Sequence, residues 1–109
     1  MATIAKGQDV LTLVNVFTVK PEDQQKLVQL LIDATEQTMK HMAGFVSASI
    51  HKSYDGTKVV NYAQWRSQQD FDAMRQVPKA KPHMVAAAAL ATFEPILCEV
   101  VESSAHAAH

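Results

Sequence analysis

Asn61 and Trp65 are the side chains whose types and spacing most suggest chemistry in this chain. They lie in the run Gly56-Thr57-Lys58-Val59-Val60-Asn61-Tyr62-Ala63-Gln64-Trp65-Arg66-Ser67, and Trp65 is the sole tryptophan. In a β-strand, alternate residues share a face, so Val59, Asn61, Ala63 and Trp65 point the same way. An amide beside an indole on an otherwise apolar strip makes a binding surface: the amide can donate two hydrogen bonds and the indole one. The plainer reading is an indole that fills the core and an amide that satisfies a neighbouring backbone group. The residues alone leave both open. Asn15 is a second polar side chain on an apolar strand face, between Leu13 and Phe17. A buried amide left without a partner costs roughly 1–3 kcal/mol, so Asn15 needs a protein partner, water or a ligand.

Three histidines, His41, His51 and His83, add ionisable side chains. His51 occupies alternate strand positions with Phe45, Ser47 and Ser49, and is expected to look into the same pocket. Imidazole suits general-base chemistry at neutral pH; the plainer reading is an exposed residue at the end of a strand. His83 stands near a helix start. His41 sits beside Lys40 in a last helical turn, where a cation suits the helix dipole. No metal-ligand spacing, glycine-rich phosphate loop or GxSxG occurs. Asp55 and Asp70 read as a turn residue and a helix cap rather than as paired acids.

At 109 residues the chain is long enough for one domain with a modest core. Its net charge of −1 offers no basic stripe for nucleic acid. No apolar run reaches membrane-spanning length, and residues 1–9 lack the apolar segment of a signal peptide. The single cysteine, Cys98, can form no disulfide within the chain and reads as a small apolar strand residue. A cytoplasmic location is the default expectation.

The elements that must position these residues follow from periodicity. Leu11 to Val19 alternates as a first strand. Pro21, with Glu22 and Asp23 behind it, starts a helix whose face carries Leu27, Leu30, Leu31, Ala34, Thr38 and Met42, and Gly44 stops it. Phe45 to Tyr54 reads as a second strand. Asp55-Gly56 marks a hairpin, and Lys58 to Arg66 is the third strand. Ser67 to Asp70 is a capping box for a helix that turns Phe71 and Met74 inward and ends at Pro78. Pro82 to Ala91 is a short alanine-rich helix, and Pro95 is expected to open a fourth strand that runs on to Val101. The domain is expected over 10–102, with flexible termini at 1–9 and 103–109.

This β-α-β-β-α-β order is the ferredoxin-like α+β pattern: a four-stranded antiparallel sheet with helices on one face. The other face would carry apolar residues from several strands, and a bare apolar sheet of that size calls for a homodimer.

The segments Gly44-Phe45-Val46-Ser47, Asp55-Gly56 and Asn61 to Ser67 resemble the antibiotic biosynthesis monooxygenase family, over roughly residues 10–102. The resemblance implies a dimeric α+β barrel and a small cofactor-independent monooxygenase. Such an enzyme oxidises an electron-rich phenol, anthrone or quinol-like compound with molecular oxygen as co-substrate, without metal or flavin. It implicates Asn61 and Trp65 in catalysis, as donors to a developing oxyanion. The pocket would lie between sheet and helices, lined by Asn61, Trp65, Phe71 and Met74 with Asn15, His51 and His83. The quinone-forming members carry a tyrosine at the position of Phe71 and an arginine near the position of Val85. Haem-degrading monooxygenases share the fold, using an Asn on the first strand, a helix Trp and a His ligand. Here Asn15 and His83 match, but Met74 stands in place of the Trp, so haem is not expected. The contrasting alternative is a non-catalytic ligand-binding or oligomerisation domain on the same scaffold.

Overall fold

The computed structural model describes residues 10–107. The expected arm at 1–9 and the last two residues of the C-terminal tail lie outside the described residues; 103–107 are exposed and have no regular secondary structure. Four strands form one antiparallel sheet: β1 (Leu11–Val19), β2 (Phe45–Lys52), β3 (Lys58–Trp65) and β4 (Ala91–Cys98), in the order β2-β3-β1-β4. Helix α1 (Gln24–Gln37) connects β1 to β2, while α2 (Gln68–Arg75) and α3 (Lys81–Leu90) together connect β3 to β4. This is the ferredoxin-like arrangement expected from the order of elements.

The helices cover the sheet face that carries Leu13, Phe17, Val19, Val59, Ala63 and Trp65, all buried. Two apolar clusters form beneath them. One gathers Leu13, Ala63, Trp65, Phe71, Met74 and Ala80; the other gathers Phe17, Val19, Leu27, Val59 and Ala87. Ser67 caps α2 as its sequence suggests, its hydroxyl accepting from the Asp70 backbone N–H at 3.1 Å. The β2–β3 turn is held by Asp55, whose carboxylate accepts from the Ser53 hydroxyl at 2.7 Å and from the Thr57 N–H at 3.0 Å and hydroxyl at 2.8 Å. The Thr57 N–H, and then the two hydroxyls, pull the Asp55 carboxyl from its ordinary 3.8 down to about 2. Gly56 takes φ +82 there, the left-handed conformation that its lack of a side chain permits. Gly44 takes φ +85, and a Cβ at that position would collide with the Asp70 carboxylate. Its carbonyl accepts from the Arg66 N–H at 2.8 Å, which ties the start of β2 to the end of β3.

Four expectations need correction. Pro21 belongs to a 3-10 turn, Pro21–Asp23, and the helix proper begins at Gln24. That helix ends at Gln37 rather than reaching Gly44, because Thr38 leaves helical geometry (φ −130, ψ −64). A short 3-10 turn, Met39–His41, follows, so Met42 is extended instead of helical. The second strand stops at Lys52, leaving Tyr54 fully exposed in the turn. Finally, β4 starts at Ala91, four residues before Pro95. Pro95 lies mid-strand opposite Asn15. It is tolerated because β4 is an edge strand, where a missing N–H need break no ladder.

His51 also departs from its expected face. Unbroken alternation would place His51 with Phe45. Instead the β2–β3 ladder shifts register between Phe45 and Ser47: Phe45 pairs with Trp65, but Ser47 pairs with Gln64 and Ala48 with Ala63. The extra residue, Val46, reverses the parity of the rest of the strand. His51 pairs with Val60 and is exposed on the face away from the helices, while Ala48 and Ile50 take the inward positions.

Candidate active site

A cavity of about 450 Å³ opens between the sheet and the helices. Its lining draws on both core clusters, so it lies between them. Of the residues proposed from sequence, Asn15, Asn61, Trp65, Phe71, Met74 and His83 line it, and His51 does not.

The floor is set by strand register. Asn15 on β1 pairs directly with Asn61 on β3, flanked by the Leu13–Ala63 and Phe17–Val59 pairs. Each amide carbonyl oxygen is buried without a hydrogen-bond partner. Leaving a buried acceptor unsatisfied costs about 1–3 kcal/mol, and here two such groups stand side by side in an apolar surround. Both side chains line the cavity, and an amide of this kind carries N–H donors as well as an acceptor oxygen.

Beside this floor stands an aromatic wall. Trp65 is 2% exposed. Phe45 meets it edge-on, with ring centroids 5.4 Å apart and planes at 88°, and Phe71 meets it at 6.3 Å and 67°. Such edge-to-face packing fixes ring planes and is worth about 0.5–1.5 kcal/mol per pair beyond the buried area. Phe93 stacks obliquely on Phe17 at 5.4 Å at the other end. Phe93 and Leu97 line the cavity and yet are 44% and 41% exposed, so the cavity opens along the edge strand β4. Its size and apolar lining suit an apolar organic molecule.

Periodicity alone did not single out several lining residues. Arg75 lies one helical turn beyond Phe71, with its guanidinium carbon 5.9 Å from the Phe71 ring centroid. The i, i+4 spacing on α2 could have revealed it. Phe93 and Pro95 were hidden by the misplaced start of β4. Val85, near where the resemblance puts an arginine, is 61% exposed and is not part of the lining. Among the described residues, Arg75 and His83 are the ionisable groups that line the cavity, and no carboxylate does. No cluster of three or more His, Cys, Asp or Glu side chains that could hold a metal ion occurs among the described residues, and no described helix is long and apolar enough to cross a membrane.

Comparison with known proteins agrees with this fold. The family model described as antibiotic biosynthesis monooxygenase matches residues 10–90. Tetracenomycin-F1 monooxygenase from Streptomyces glaucescens is 50% identical over 103 residues, covering 94% of this chain and 92% of that protein. Among solved structures, the monooxygenase ActVA-Orf6 of Streptomyces coelicolor, in complex with nanaomycin D, superposes with a TM-score of 0.79 at 29% identity over 89% of this chain and 92% of that one. SnoaB, a cofactor-independent oxygenase from Streptomyces nogalater, gives 0.74 at 27% identity, over 88% and 97%. The chain belongs to the antibiotic biosynthesis monooxygenase family.

Proposed function

We propose that the protein is a cofactor-independent monooxygenase that converts a fused-ring, phenol-bearing aromatic compound to a quinone with molecular oxygen. The substrate class is that of the tetracenomycin-F1 enzyme, the 50% identical relative. The observation that carries this reading is the cross-strand pair of amides, Asn15 and Asn61, whose oxygens are unpartnered, in the lining of an apolar cavity with Trp65.

The chemistry follows from the groups available. A ring CH2 flanked by phenolic rings is acidic, because its anion delocalises into them. Among the described residues, His83 is the lining side chain able to accept that proton, a guanidinium being no general base. The amide N–H groups of Asn61 and Asn15 and the indole N–H of Trp65 would stabilise the oxygen that gathers charge as the anion forms. The electron-rich anion then reacts with oxygen directly, and the proton held by His83 goes to the new peroxide. Loss of water from that hydroperoxide leaves the ring carbonyl, so one oxygen atom enters the ring and the other leaves in water. The reading needs neither flavin, metal nor haem. The resemblance puts a tyrosine at the position of Phe71, and with no hydroxyl there the proposed proton carrier is His83.

Removal of a preorganised oxyanion donor typically costs on the order of 10²–10³ in rate. Asn61→Ala is expected at the low end of that range or below it, because Trp65 and Asn15 remain. Oxygen uptake with an anthrone or naphthacenone as substrate measures this, and an unchanged kcat would remove Asn61 from the mechanism.

The proposed enzyme works in the cytoplasm as a homodimer. The sheet face turned away from the helices exposes Ile96 and leaves Val14, Val16, Val60 and Tyr62 half-buried. A second copy packing sheet to sheet would cover this surface. Sedimentation at micromolar concentration should give about twice the 12.0 kDa chain mass, with Val16→Glu shifting it to monomer. A wild-type monomer would contradict the barrel.

A further inference from the structure

We infer that Arg75 is a specificity-determining residue which selects substrates bearing a carboxylate on the ring edge that lies against Phe71. The inference rests on the proposed fused-ring substrate and extends it by naming a substituent. Arg75 is the last residue of α2 and lines the cavity, although much of its side chain is exposed. It therefore sits at the rim, with its guanidinium carbon 5.9 Å from the Phe71 ring centroid. Phe71 is itself packed against Trp65. A planar ligand held along the aromatic wall would bring its edge to the guanidinium.

Electrostatics set the sign of what is bound there. Among the described residues, the lining holds no carboxylate to neutralise Arg75, and Arg75 makes no ion pair, Asp72 on the same helix included. A cation in the last turn of a helix is favourable with the dipole. That accounts for a basic residue at this position, but not for its placement against the cavity wall. The cation–π contact with Phe71 holds the group over the aromatic surface. Guanidinium presents paired N–H donors in a planar fork that matches a carboxylate in two parallel hydrogen bonds. The amide floor, by contrast, offers neutral donors and acceptors suited to phenolic and carbonyl oxygens. The two ends of the cavity thus read different oxygen chemistry, and the ring system is oriented between them.

The test uses Trp65 as its reporter. Because it is the sole tryptophan and stands in the cavity wall, quenching of its fluorescence reads ring binding without any turnover. The probes are anthraquinone-2-carboxylate and its neutral N-(2-hydroxyethyl) carboxamide. The wild type should bind the carboxylate at least tenfold more tightly than the amide, with the preference shrinking as salt rises. Arg75→Met should bring the two affinities to within about twofold, and Arg75→Lys should restore part of the preference. Equal affinities in the wild type, or a preference that survives in Arg75→Met, would overturn the inference. Because the readout is binding, it is independent of catalysis. An enzyme that takes up no oxygen yet prefers the carboxylate through Arg75 would lose the oxygenase reading and keep this one; one that oxidises neutral and acidic rings alike would do the reverse.

Discussion

His83→Ala is expected to lose roughly 10²–10⁴-fold in kcat for quinone formation, the range typical of removing a positioned general base. KM for the ring substrate should change little, since the aromatic wall and the amide floor remain. The size of the effect follows from the scarcity of alternatives. Among the described residues lining the cavity, only Arg75 is otherwise ionisable, and a guanidinium cannot accept a proton. Added imidazole should recover part of the rate by entering the vacated space. If His83→Ala keeps the wild-type kcat, proton transfer goes to solvent or to substrate oxygens, and His83 is only part of the wall.

Replacement of Trp65 separates packing from hydrogen bonding. Trp65→Ala is expected to destabilise the fold by about 3–5 kcal/mol, the usual cost of truncating a large buried aromatic. Trp65 touches two aromatic partners and lies 2% exposed at the end of β3, so the void could not readily collapse. Trp65→Phe keeps most of that packing and removes the N–H. It should melt within a few degrees of wild type while losing kcat, as the oxyanion role requires. Full activity in Trp65→Phe, beside an unfolded Trp65→Ala, would make the indole a structural residue only. Thermal melts read together with oxygen uptake distinguish the two.

The cavity floor was legible from the sequence because a strand has a simple period. Once β1 and β3 are read as alternating, Asn15 and Asn61 fall on the faces that carry Leu13, Phe17, Ala63 and Trp65. That these two amides are direct cross-strand neighbours was not legible, since pairing register is a tertiary property. His51 shows where alternation fails. A one-residue shift at Val46 turned it outward, and no glycine or proline inside β2 announces such a bulge. Pro95 misled in the opposite direction. Proline reads as a boundary because it cannot donate, but that penalty vanishes on an edge strand, and edge position is set by the order of the whole sheet. Arg75 was available from its spacing to Phe71. A basic residue in a final helical turn also suits the helix dipole, so its type alone does not point to the cavity.

The central claim is that side chains of this protein, with no bound cofactor, direct oxygen onto an aromatic ring. Protein dialysed against chelator, shown by elemental analysis and absorbance to hold no transition metal, flavin or haem, should be mixed with a naphthacenone or anthrone under 18O2. Mass spectrometry of the quinone should show one labelled oxygen per molecule, formed at a rate well above that of the buffer and unaltered by added metal ions or flavin. Quinone that forms only after metal, flavin or haem is restored, or no quinone above the buffer rate, would contradict the account.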